Sequence, residues 1–419
     1  MSRSTFSRRD FLRTTCAGCG ALLAGGALQS AGRGLERLLP APAAAAGDPL
    51  AELIRRAPRA RYWVSTAASD CAACHGGPAP APGAGPLRAG AVPHHRRALV
   101  RCQLCARNCI LAEGERGACA ARVNVGGELR SLVYGRPISI HVDPIEKKPF
   151  FHFLPGSDAF SLATSGCPLR CRFCQNWEIS QARPEDYAQA SLPAAAIAHA
   201  AVDRAAPVIA FTYNEPTVFL EYLTDIARAA KPLGRRSVLV SCGFMNEAPL
   251  RELCGVLDAI KIDLKGFRDD FYREVCGVER QPVLRSLRQV ARSGVHLEIV
   301  NLVVPTLNDA PRDLTELSKW VAGELGPDVP VHFTRFHPDF QLRNLPDTPV
   351  ATLERAREIG MARGLHFVYV GNVPGHPGNH TYCPGCGTKV IERDGLSVTA
   401  MRLRHGRCPK CGRAIPGVW

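Results

Sequence analysis

Short apolar stretches rich in β-branched residues alternate with longer amphipathic stretches between residues 158 and 372. Near-continuous apolar strands are typical of a parallel sheet whose two faces are both covered by helices. Such strands are predicted at residues 160–164, 208–213, 237–241, 259–264, 297–304, 331–336 and 365–370. Helices are predicted between them at residues 192–205, 217–230, 282–292, 312–324 and 350–363. The pattern therefore predicts an α/β fold.

Strand–helix units that follow one another in this way favour a full or partial barrel, with its site at the C-terminal ends of the strands. Polar residues do stand where the predicted strands end. They are Asn214, Glu215, Ser241, Asp263, Lys265 and His337. Because parallel strands end at the same side of a barrel, we expect these side chains to meet at its mouth.

Three cysteines directly after the first predicted strand indicate a metal site. Cys167, Cys171 and Cys174 have the spacing C-x3-C-x2-C on one short loop. A cubic iron–sulfur cluster takes four cysteines when it is fully ligated. Three thiolates can each bind one iron and leave the fourth iron open to a small molecule. The spacing therefore predicts a [4Fe-4S] cluster, with a zinc site or unrelated thiols as the alternative.

The three cysteines, with Phe173 before the last of them, resemble the signature of the radical S-adenosylmethionine (SAM) superfamily. The resemblance implies a partial (β/α)6 barrel and an open iron that binds the amino and carboxylate groups of SAM. It implies reductive cleavage of SAM to a 5′-deoxyadenosyl radical, which abstracts hydrogen from a substrate. The partners that it implies are SAM, an electron donor and a protein or small-molecule substrate.

The strand-end residues resemble those of the glycyl-radical activating enzymes, a group that includes pyruvate formate-lyase activating enzyme. Asn214 and Glu215 match the stretch that holds the SAM amino group. Asp263 and Lys265 match the stretch that helps to hold the ribose and the carboxylate, and His337 matches a contact on the adenosine side. The cofactor-binding residues implied in this way are Phe173, Asn214, Glu215, Ser241, Asp263, Lys265 and His337.

Each of these residues also has a purely structural interpretation. Asp263 and Lys265 can form an ion pair across a strand end, which is the simpler interpretation for that pair alone. Glu215 can place a negative charge at the N-terminus of a helix that begins at Pro216. His337 can be a buried histidine with satisfied hydrogen bonds. Their common position after successive strands is what favours a site.

Longer stretches resemble one subgroup, the radical SAM enzymes of the AmmeMemoRadiSam system. The matching stretches are residues 101–105, 132–135, 141–149, 173–181 and 213–217, and the resemblance covers residues 99–419. One departure from the activating enzymes is that glycine is expected where Tyr213 and Asn214 stand. The activating-enzyme resemblance favours a protein or peptide substrate, such as a glycyl residue, and leaves a small molecule open.

Two further groups of four cysteines have spacings typical of metal sites. The first group, Cys102, Cys105, Cys109 and Cys119, suits either a tetrahedral zinc ion or a second iron–sulfur cluster. The second group, Cys383, Cys386, Cys408 and Cys411, consists of two C-x2-C knuckles and predicts a zinc ribbon, with a rubredoxin-like iron site as the alternative. Cys242, Cys254 and Cys276 stand alone and are predicted to be core residues.

The N-terminal residues have the features of an export signal. Arg8-Arg9 and the apolar segment after them resemble a twin-arginine signal, which predicts export to the periplasmic side, with a cytoplasmic location as the alternative. Cys71, Cys74 and His75 match the short pattern for attachment of haem c. Residues 48–419 contain no apolar run long enough to span a bilayer, so no span is expected once the signal is removed.

The formal charge of +14 is concentrated near the N-terminus, where residues 1–110 hold 15 arginines against 5 acidic residues. No stacking platform accompanies that charge, so no nucleic-acid partner is predicted. Five segments are predicted: a signal at 1–47, a Pro/Ala/Gly-rich linker at 48–98, a cysteine-rich module at 99–157, the radical SAM barrel at 158–372 and the zinc-ribbon-like module at 373–419.

Two other functions compete with radical SAM catalysis. An exported electron carrier would use the iron–sulfur clusters together with a haem at residues 71–75. A zinc-dependent binding module that has lost catalysis would keep the fold alone. The complete set of Cys167, Cys171, Cys174, Glu215 and Asp263 argues against such a loss.

Overall fold

The computed structural model describes residues 48–66, 99–187 and 191–419 of the chain. Two small antiparallel sheets and one helix form its N-terminal part. They consist of helix α1 (Pro49–Arg56), a sheet of β1 (Trp63–Thr66), β2 (Leu99–Cys102) and β3 (Ile110–Leu111), and a hairpin of β4 (Arg122–Val125) and β5 (Glu128–Ser131). Leu53 of α1 packs on Val123 and Leu132, which fixes the helix against the hairpin.

An eight-stranded sheet forms the centre of the protein, and its strands are adjacent in chain order. The strands are β6 (Ser139–Pro144), β7 (Asp158–Ala163), β8 (Val208–Phe211), β9 (Arg236–Ser241), β10 (Ala259–Asp263), β11 (His296–Val303), β12 (Val331–Arg335) and β13 (Val368–Gly371). From β7 to β13 all neighbours are parallel, whereas β6 runs antiparallel to β7 at one edge. The predicted α/β fold with parallel strands is confirmed, and the partial barrel stays a prediction.

Helices connect the parallel strands. They are α2 (Trp177–Ser180), α3 (Ala194–Asp203), α4 (Leu220–Ala230), α5 (Glu247–Val256), α6 (Asp269–Phe271), α7 (Gln281–Ser293), α8 (Pro311–Glu324) and α9 (Val350–Ala362). Helix α7 illustrates why they form: Val283, Leu287 and Val290 repeat at helical spacing and are buried against the sheet. The helix ends at Gly294, whose φ of +80° suits glycine and closes the last turn.

The register of the sheet brings the ends of β9 and β10 together. Ser241, the last residue of β9, lies opposite Ile262 of β10, and Ile262 lies opposite Ile299 of β11. All four residues of β8 are buried, as expected for a strand that is covered on both faces. Polar side chains that follow these strands therefore lie at one side of the sheet.

The C-terminal residues form a three-stranded antiparallel sheet of β14 (Thr381–Tyr382), β15 (Lys389–Asp394) and β16 (Ser397–Met401). This sheet packs through Arg393 on the segment that connects β6 to β7. The Arg393 guanidinium is buried, donates to the carbonyl oxygen of Phe151 at 2.8 Å and lies 4.0 Å from the centre of the Phe151 ring. It also lies 3.6 Å from the buried Glu146 carboxylate. Removing one partner would leave the other charge buried, which costs about 3–5 kcal/mol.

His152 lies in the same contact region and makes stability depend on pH. Its Nδ1 lies 2.6 Å from the Pro416 carbonyl oxygen, and its Nε2 lies 2.6 Å from the Tyr369 hydroxyl. Burial lowers the pKa of His152 from 6.5 to about 3. Between these pH values the unfolded chain binds a proton that the folded chain does not. Stability is therefore lost as the pH falls through this window.

We expect the titration of His152 to lower the free energy of unfolding by about 1.4 kcal/mol for each pH unit as the pH falls from about 6 to about 4. Urea denaturation at a series of pH values measures that slope. In the variant His152→Gln the side chain no longer titrates, so the slope should become shallower by this amount. A variant with the slope of the wild type would contradict the assignment.

Several predictions concern residues that the structure does not describe. The export signal at residues 1–47 and the haem pattern at Cys71, Cys74 and His75 lie outside the described residues. Among the helices in the described ranges, none is both long and apolar enough to cross a membrane.

Candidate functional site

The three cysteines Cys167, Cys171 and Cys174 lie on the loop between β7 and α2, at the C-terminal end of the first parallel strand. Cys171 is buried, and the other two are half-buried. Two backbone hydrogen bonds hold the loop, from Arg170 N–H to the Cys276 carbonyl and from Arg172 N–H to the Val275 carbonyl, both at 2.9 Å. The loop is therefore supported by the turn before α7.

Glu215 lies where the sequence predicted it, beside the cysteine loop. One of its oxygens accepts from the Ser241 hydroxyl at 2.8 Å, and the other accepts from the Cys242 N–H at 2.7 Å. The first oxygen also accepts from the Thr217 N–H at 3.1 Å, so the predicted helix-terminal role is present as well. Burial raises the pKa of the Cys167 thiol well above its usual value, and the nearby Glu215 carboxylate raises it further.

Asn214 presents an acceptor that has no partner. Its side-chain nitrogen donates to the Gly166 carbonyl oxygen at 2.9 Å. Its side-chain oxygen is buried and has no hydrogen-bond partner in the part of the chain that the structure describes. Because a buried acceptor without a partner costs stability, this atom suits a donor supplied by a ligand. The nitrogen of Asn214 is thus bound to Gly166, which precedes Cys167, and its oxygen is left to accept from a ligand.

Tyr213 occupies a position at which the activating enzymes are expected to have glycine. Its φ of +71° is in the left-handed region that glycine favours. Its hydroxyl donates to the Asp143 carboxylate, and the Lys148 ammonium lies 4.8 Å from the centre of its ring. Its carbonyl oxygen accepts from the Asn176 side chain at 2.9 Å. These contacts offset the backbone strain and hold the loop before Glu215.

Asp263 and Lys265 form the ion pair that was the structural interpretation, at 3.1 Å. Lys261, in the middle of β10, binds the other oxygen of Asp263. Burial alone would raise the pKa of Asp263, but the two lysines outweigh it and lower the pKa to about 2. Phe173 stacks on Phe271 at 6.2 Å, and the Lys265 ammonium lies 5.6 Å from the centre of the Phe173 ring. This ion pair therefore borders the cysteine loop.

His337 lies at the end of β12, but its side chain is 73% exposed. Its Nδ1 lies 2.7 Å from the Asp347 carboxylate, which orients the ring. The structural interpretation as a buried histidine is therefore wrong. Ser241 is buried and, as described, donates to Glu215. The predicted residues around the cysteine loop come together, whereas His337 lies at the surface.

Sequence reasoning missed a set of buried charges beside the site. Lys148 is buried and binds Asp143 at 2.6 Å. Burial lowers the pKa of Lys148 to about 8, although Asp143 raises it. Asp143 also pairs with Lys147 at 2.7 Å. The sequence identified residues 141–149 only through a family resemblance and did not predict a charged site there. Lys261 was not identified, because it lies within a strand that was predicted from its apolar residues.

Two of the three isolated cysteines also lie beside the site. Cys242 and Cys276 are buried, as predicted for core residues, and Cys254 is half-buried on α5. Burial raises the pKa of the Cys276 thiol well above its usual value, and the neighbouring Cys171 raises it further. Cys276 is therefore a thiol next to the predicted cluster as well as a core residue.

The C-terminal cysteines converge on one point. Sγ of Cys383 lies 3.5 Å from Sγ of Cys411, and Sγ of Cys386 lies 3.6 Å from Sγ of Cys408. All four sulfur atoms lie within 4.8 Å of one another, and within the described ranges no other group of three or more such ligands is so compact. Four thiolates at these separations suit one tetrahedral metal ion, because Zn–S bonds are about 2.3 Å long.

The fold and the cysteine loop define an α/β protein with three thiols at the C-terminal side of a mainly parallel sheet. The radical SAM superfamily model matches residues 161–317. An uncharacterized protein of Methanocaldococcus jannaschii is 43% identical over 318 residues, which are 75% of this chain and 95% of that protein. The chain therefore belongs to the radical SAM superfamily, and that membership supports an enzyme.

Two proteins with names that describe a function are also similar. The pyruvate formate-lyase-activating enzyme of Clostridium pasteurianum is 26% identical over 156 residues, which are 36% of this chain and 65% of that enzyme. A solved domain of the pyruvate-formate lyase-activating enzyme from Bacteroides vulgatus has a TM-score of 0.36 and 16% identity, and covers 39% of this chain and 98% of that domain. The superfamily assignment rests on the sequence matches.

Proposed function

We propose that this protein cleaves SAM reductively at a [4Fe-4S] cluster held by Cys167, Cys171 and Cys174, and that the resulting radical abstracts hydrogen from a substrate. The observation that carries this proposal is the position of the three thiols. They lie on one supported loop, directly beside Asn214 and Glu215 at the C-terminal side of the sheet. When bound, the cluster supplies the electron and an open iron, and the residues around it position SAM.

Glu215 and Asn214 hold the amino group of SAM in this proposal. An ammonium group would satisfy the buried Asn214 oxygen that has no partner and would meet the negative charge of Glu215. One Glu215 oxygen accepts from Cys242 N–H and keeps a free lone pair for this contact. Hydrogen bonds that involve a charged group contribute about 1.5–3 kcal/mol. The two residues therefore orient SAM toward Cys167.

Lys265 supplies positive charge beside the cysteine loop. Its ammonium is held by Asp263 and interacts with the Cys171, Cys276 and Cys242 thiols. In this position it balances the negative charge of a thiolate-bound cluster and can bind the SAM carboxylate. Asp263 then holds Lys265 in place and accepts from the ribose. The exposed His337 would reach the adenosine only if bound SAM extends to the surface.

A protein or peptide is the substrate class that we propose, with a glycyl residue as one example. Pyruvate formate-lyase-activating enzymes among the relatives support this choice. The AmmeMemoRadiSam subgroup and a partial barrel belong to the same proposal. None of the described features favours the alternative of an exported iron–sulfur or haem electron carrier.

We further propose zinc for the C-terminal thiols. Their sulfur separations of 3.5 and 3.6 Å suit a tetrahedral ion, and four protein ligands leave no position for a substrate. A rubredoxin-like iron would fit the same thiols, and metal analysis of the purified protein separates the two. The role of this site is structural.

Formation of 5′-deoxyadenosine tests the proposed function. The anaerobically reconstituted chain, reduced with titanium(III) citrate, should form this product only when SAM is present. In Glu215→Gln the charge that binds the ammonium group is lost, so KM for SAM should rise about tenfold or more. Iron content should stay unchanged, because Glu215 binds no iron.

Glu247→Gln provides the matched control, since Glu247 is exposed on α5 and forms an ion pair with the exposed Arg251. Its KM should equal that of the wild type. The absence of 5′-deoxyadenosine from a fully reduced, cluster-loaded wild type would overturn the proposed function. An unchanged KM in Glu215→Gln would overturn the role of Glu215 alone.

A further inference from the structure

The N-terminal cysteines Cys102, Cys105, Cys109 and Cys119 are brought together by a tight hairpin and a turn. Cys102 ends β2, and its N–H donates to the Cys109 carbonyl at 2.9 Å. Cys105 begins a turn that Asn108 N–H closes at 3.1 Å. A methyl group added at Gly117 would lie 3.8 Å from Sγ of both Cys109 and Cys119. The four residues, called the N-terminal quartet below, therefore surround one small volume.

The spacing of the quartet differs from that of the C-terminal site. The C-terminal thiols form a compact group whose sulfur atoms all lie within 4.8 Å of one another, and the quartet, which is fully described, does not form such a group. Thiolates on one zinc ion must be close, because each is about 2.3 Å from the same metal. Thiolates on a cubane are farther apart, because each binds a different iron. The wider spacing favours a cubane cluster.

A buried cation beside the quartet points independently to an anionic ligand there. Arg122 is 1% exposed, and its Nη2 binds both oxygens of Glu221 at 2.6 and 2.7 Å. Among the described residues its Nε–H has no hydrogen-bond partner, and its charge interacts with the Cys102 and Cys119 thiols. A buried donor without a partner is costly. Glu221 already balances the Arg122 charge, and a thiolate-bound cluster would supply the missing acceptor for Nε–H.

The quartet is packed directly on the loop of Cys167, Cys171 and Cys174. Gly166 precedes Cys167, and a Cβ added there would lie only 2.3 Å from the Cys119 carbonyl oxygen, so only glycine fits. Arg107 follows Cys105 by two residues and donates to the Pro168 carbonyl at 3.0 Å. Arg170 donates to the carbonyl of Ala118. The two cysteine loops are therefore joined by one close backbone approach and by a hydrogen bond from an arginine side chain of each loop to the backbone of the other.

Burial changes across the quartet. Cys105 and Cys109 are half-buried, whereas Cys102 and Cys119 are buried. Cys119 is also the member whose carbonyl touches the residue before Cys167. A centre bound here would be half-exposed at Cys105 and Cys109 and would contact the loop of Cys167 through Cys119. Electron transfer falls steeply with distance, so such a position suits a relay.

We propose that the N-terminal quartet holds a second [4Fe-4S] cluster and that this cluster passes single electrons to the cluster at Cys167, Cys171 and Cys174. The relay rests on the proposed function, whereas the metal site does not. The electron comes from a low-potential flavin or iron–sulfur protein. The quartet cluster is oxidised by one electron as the cysteine-loop cluster is reduced by one, and no bond or proton changes at this step.

Iron and sulfide content tests the metal site without any assay of activity. Wild type should bind about eight irons and eight sulfides per chain, and the triple variant Cys167→Ala, Cys171→Ala, Cys174→Ala should keep about four of each. The variant Cys105→Ala, Cys109→Ala should also keep about four irons and four sulfides. The electron paramagnetic resonance signal of its remaining cluster should change when SAM is added. Cys254→Ala is the matched control and should keep all eight.

A triple variant that binds no iron and a second zinc per chain, beyond the one at the C-terminal thiols, would overturn the proposal. So would a triple variant that binds no iron while its circular dichroism remains that of the wild type. Should the double variant fail to fold, Cys109→Ser, at a half-buried position, gives the same comparison. These outcomes do not depend on whether the protein cleaves SAM.

The source of the electron tests the relay. With titanium(III) citrate, which reduces any accessible cluster, the Cys105→Ala, Cys109→Ala variant should form 5′-deoxyadenosine at the wild-type rate. With a reduced flavodoxin as donor, this double variant should form no 5′-deoxyadenosine, whereas the wild type and Cys254→Ala should still form it. Equal rates with flavodoxin would overturn the relay. A wild type that is inactive even with titanium(III) citrate would instead overturn the proposed function.

Discussion

Replacing Cys171 by alanine is expected to remove one cubane cluster and to abolish SAM cleavage. Cys171 is buried on the loop between β7 and α2, and two remaining thiols cannot hold a cubane in the geometry that three provide. Iron and sulfide should each fall by about four per chain. Formation of 5′-deoxyadenosine should fall to the level seen without protein, whichever reductant is used. Zinc at the C-terminal site should not change.

Two controls make this result specific. Cys254→Ala changes a half-buried thiol on α5 and should retain all the iron. Cys276 lies beside Cys171, so it is placed to replace the lost ligand. If Cys171→Ala retains its iron, the double variant Cys171→Ala, Cys276→Ala decides whether Cys276 has taken its place. Iron retained in that double variant as well would overturn the cluster assignment.

Replacing Cys408 by serine is expected to release the zinc that we propose at the C-terminal thiols and to lower the thermal stability of the protein. Cys408 and Cys383 are buried in the core that the C-terminal module shares with Phe151 and Tyr369. Structural zinc sites contribute about 10–16 kcal/mol in isolated zinc-finger peptides. Loss of even a third of that contribution would lower Tm by on the order of 10 °C, at about 2–4 °C per kcal/mol.

Metal analysis and differential scanning calorimetry measure these two effects together. Iron and sulfide should stay at wild-type levels, because the iron sites that we propose lie in other parts of the chain. Cys254→Ser introduces the same change outside any metal site and should retain zinc. A Cys408→Ser protein that keeps its zinc, or that keeps its Tm after losing it, would contradict a structural role.

Much of the central sheet is evident from the sequence. The seven predicted strands correspond to β7–β13, because strands buried on both faces appear as apolar runs. Strand β6 was not predicted, since it is an edge strand with exposed His141 and Val142. Helix α5 was also missed, because Pro249 and Gly255 weaken its helical pattern. Edge strands and helices with a weak pattern depend on tertiary contacts more than on local sequence.

The candidate site was predicted in part. Cys167, Cys171, Asn214 and Glu215 were identified from spacing and position, and the structure brings them together. His337 was identified in the same way but lies exposed at the surface. A position after a strand determines which end of the sheet a residue occupies. It does not determine whether the side chain turns inward.

The sequence by itself determined the chemistry that the protein has available: three groups of thiols, the order of the strands and the polar residues that follow them. Their spacing along the chain is local information, and local information is sufficient for a metal ligand set. Only the tertiary structure decided how these groups are arranged. It placed the carbonyl of Cys119 against Gly166 and the charge of Arg122 beside Cys102, although these pairs are distant in sequence. Such contacts arise from packing, which no spacing along a chain encodes.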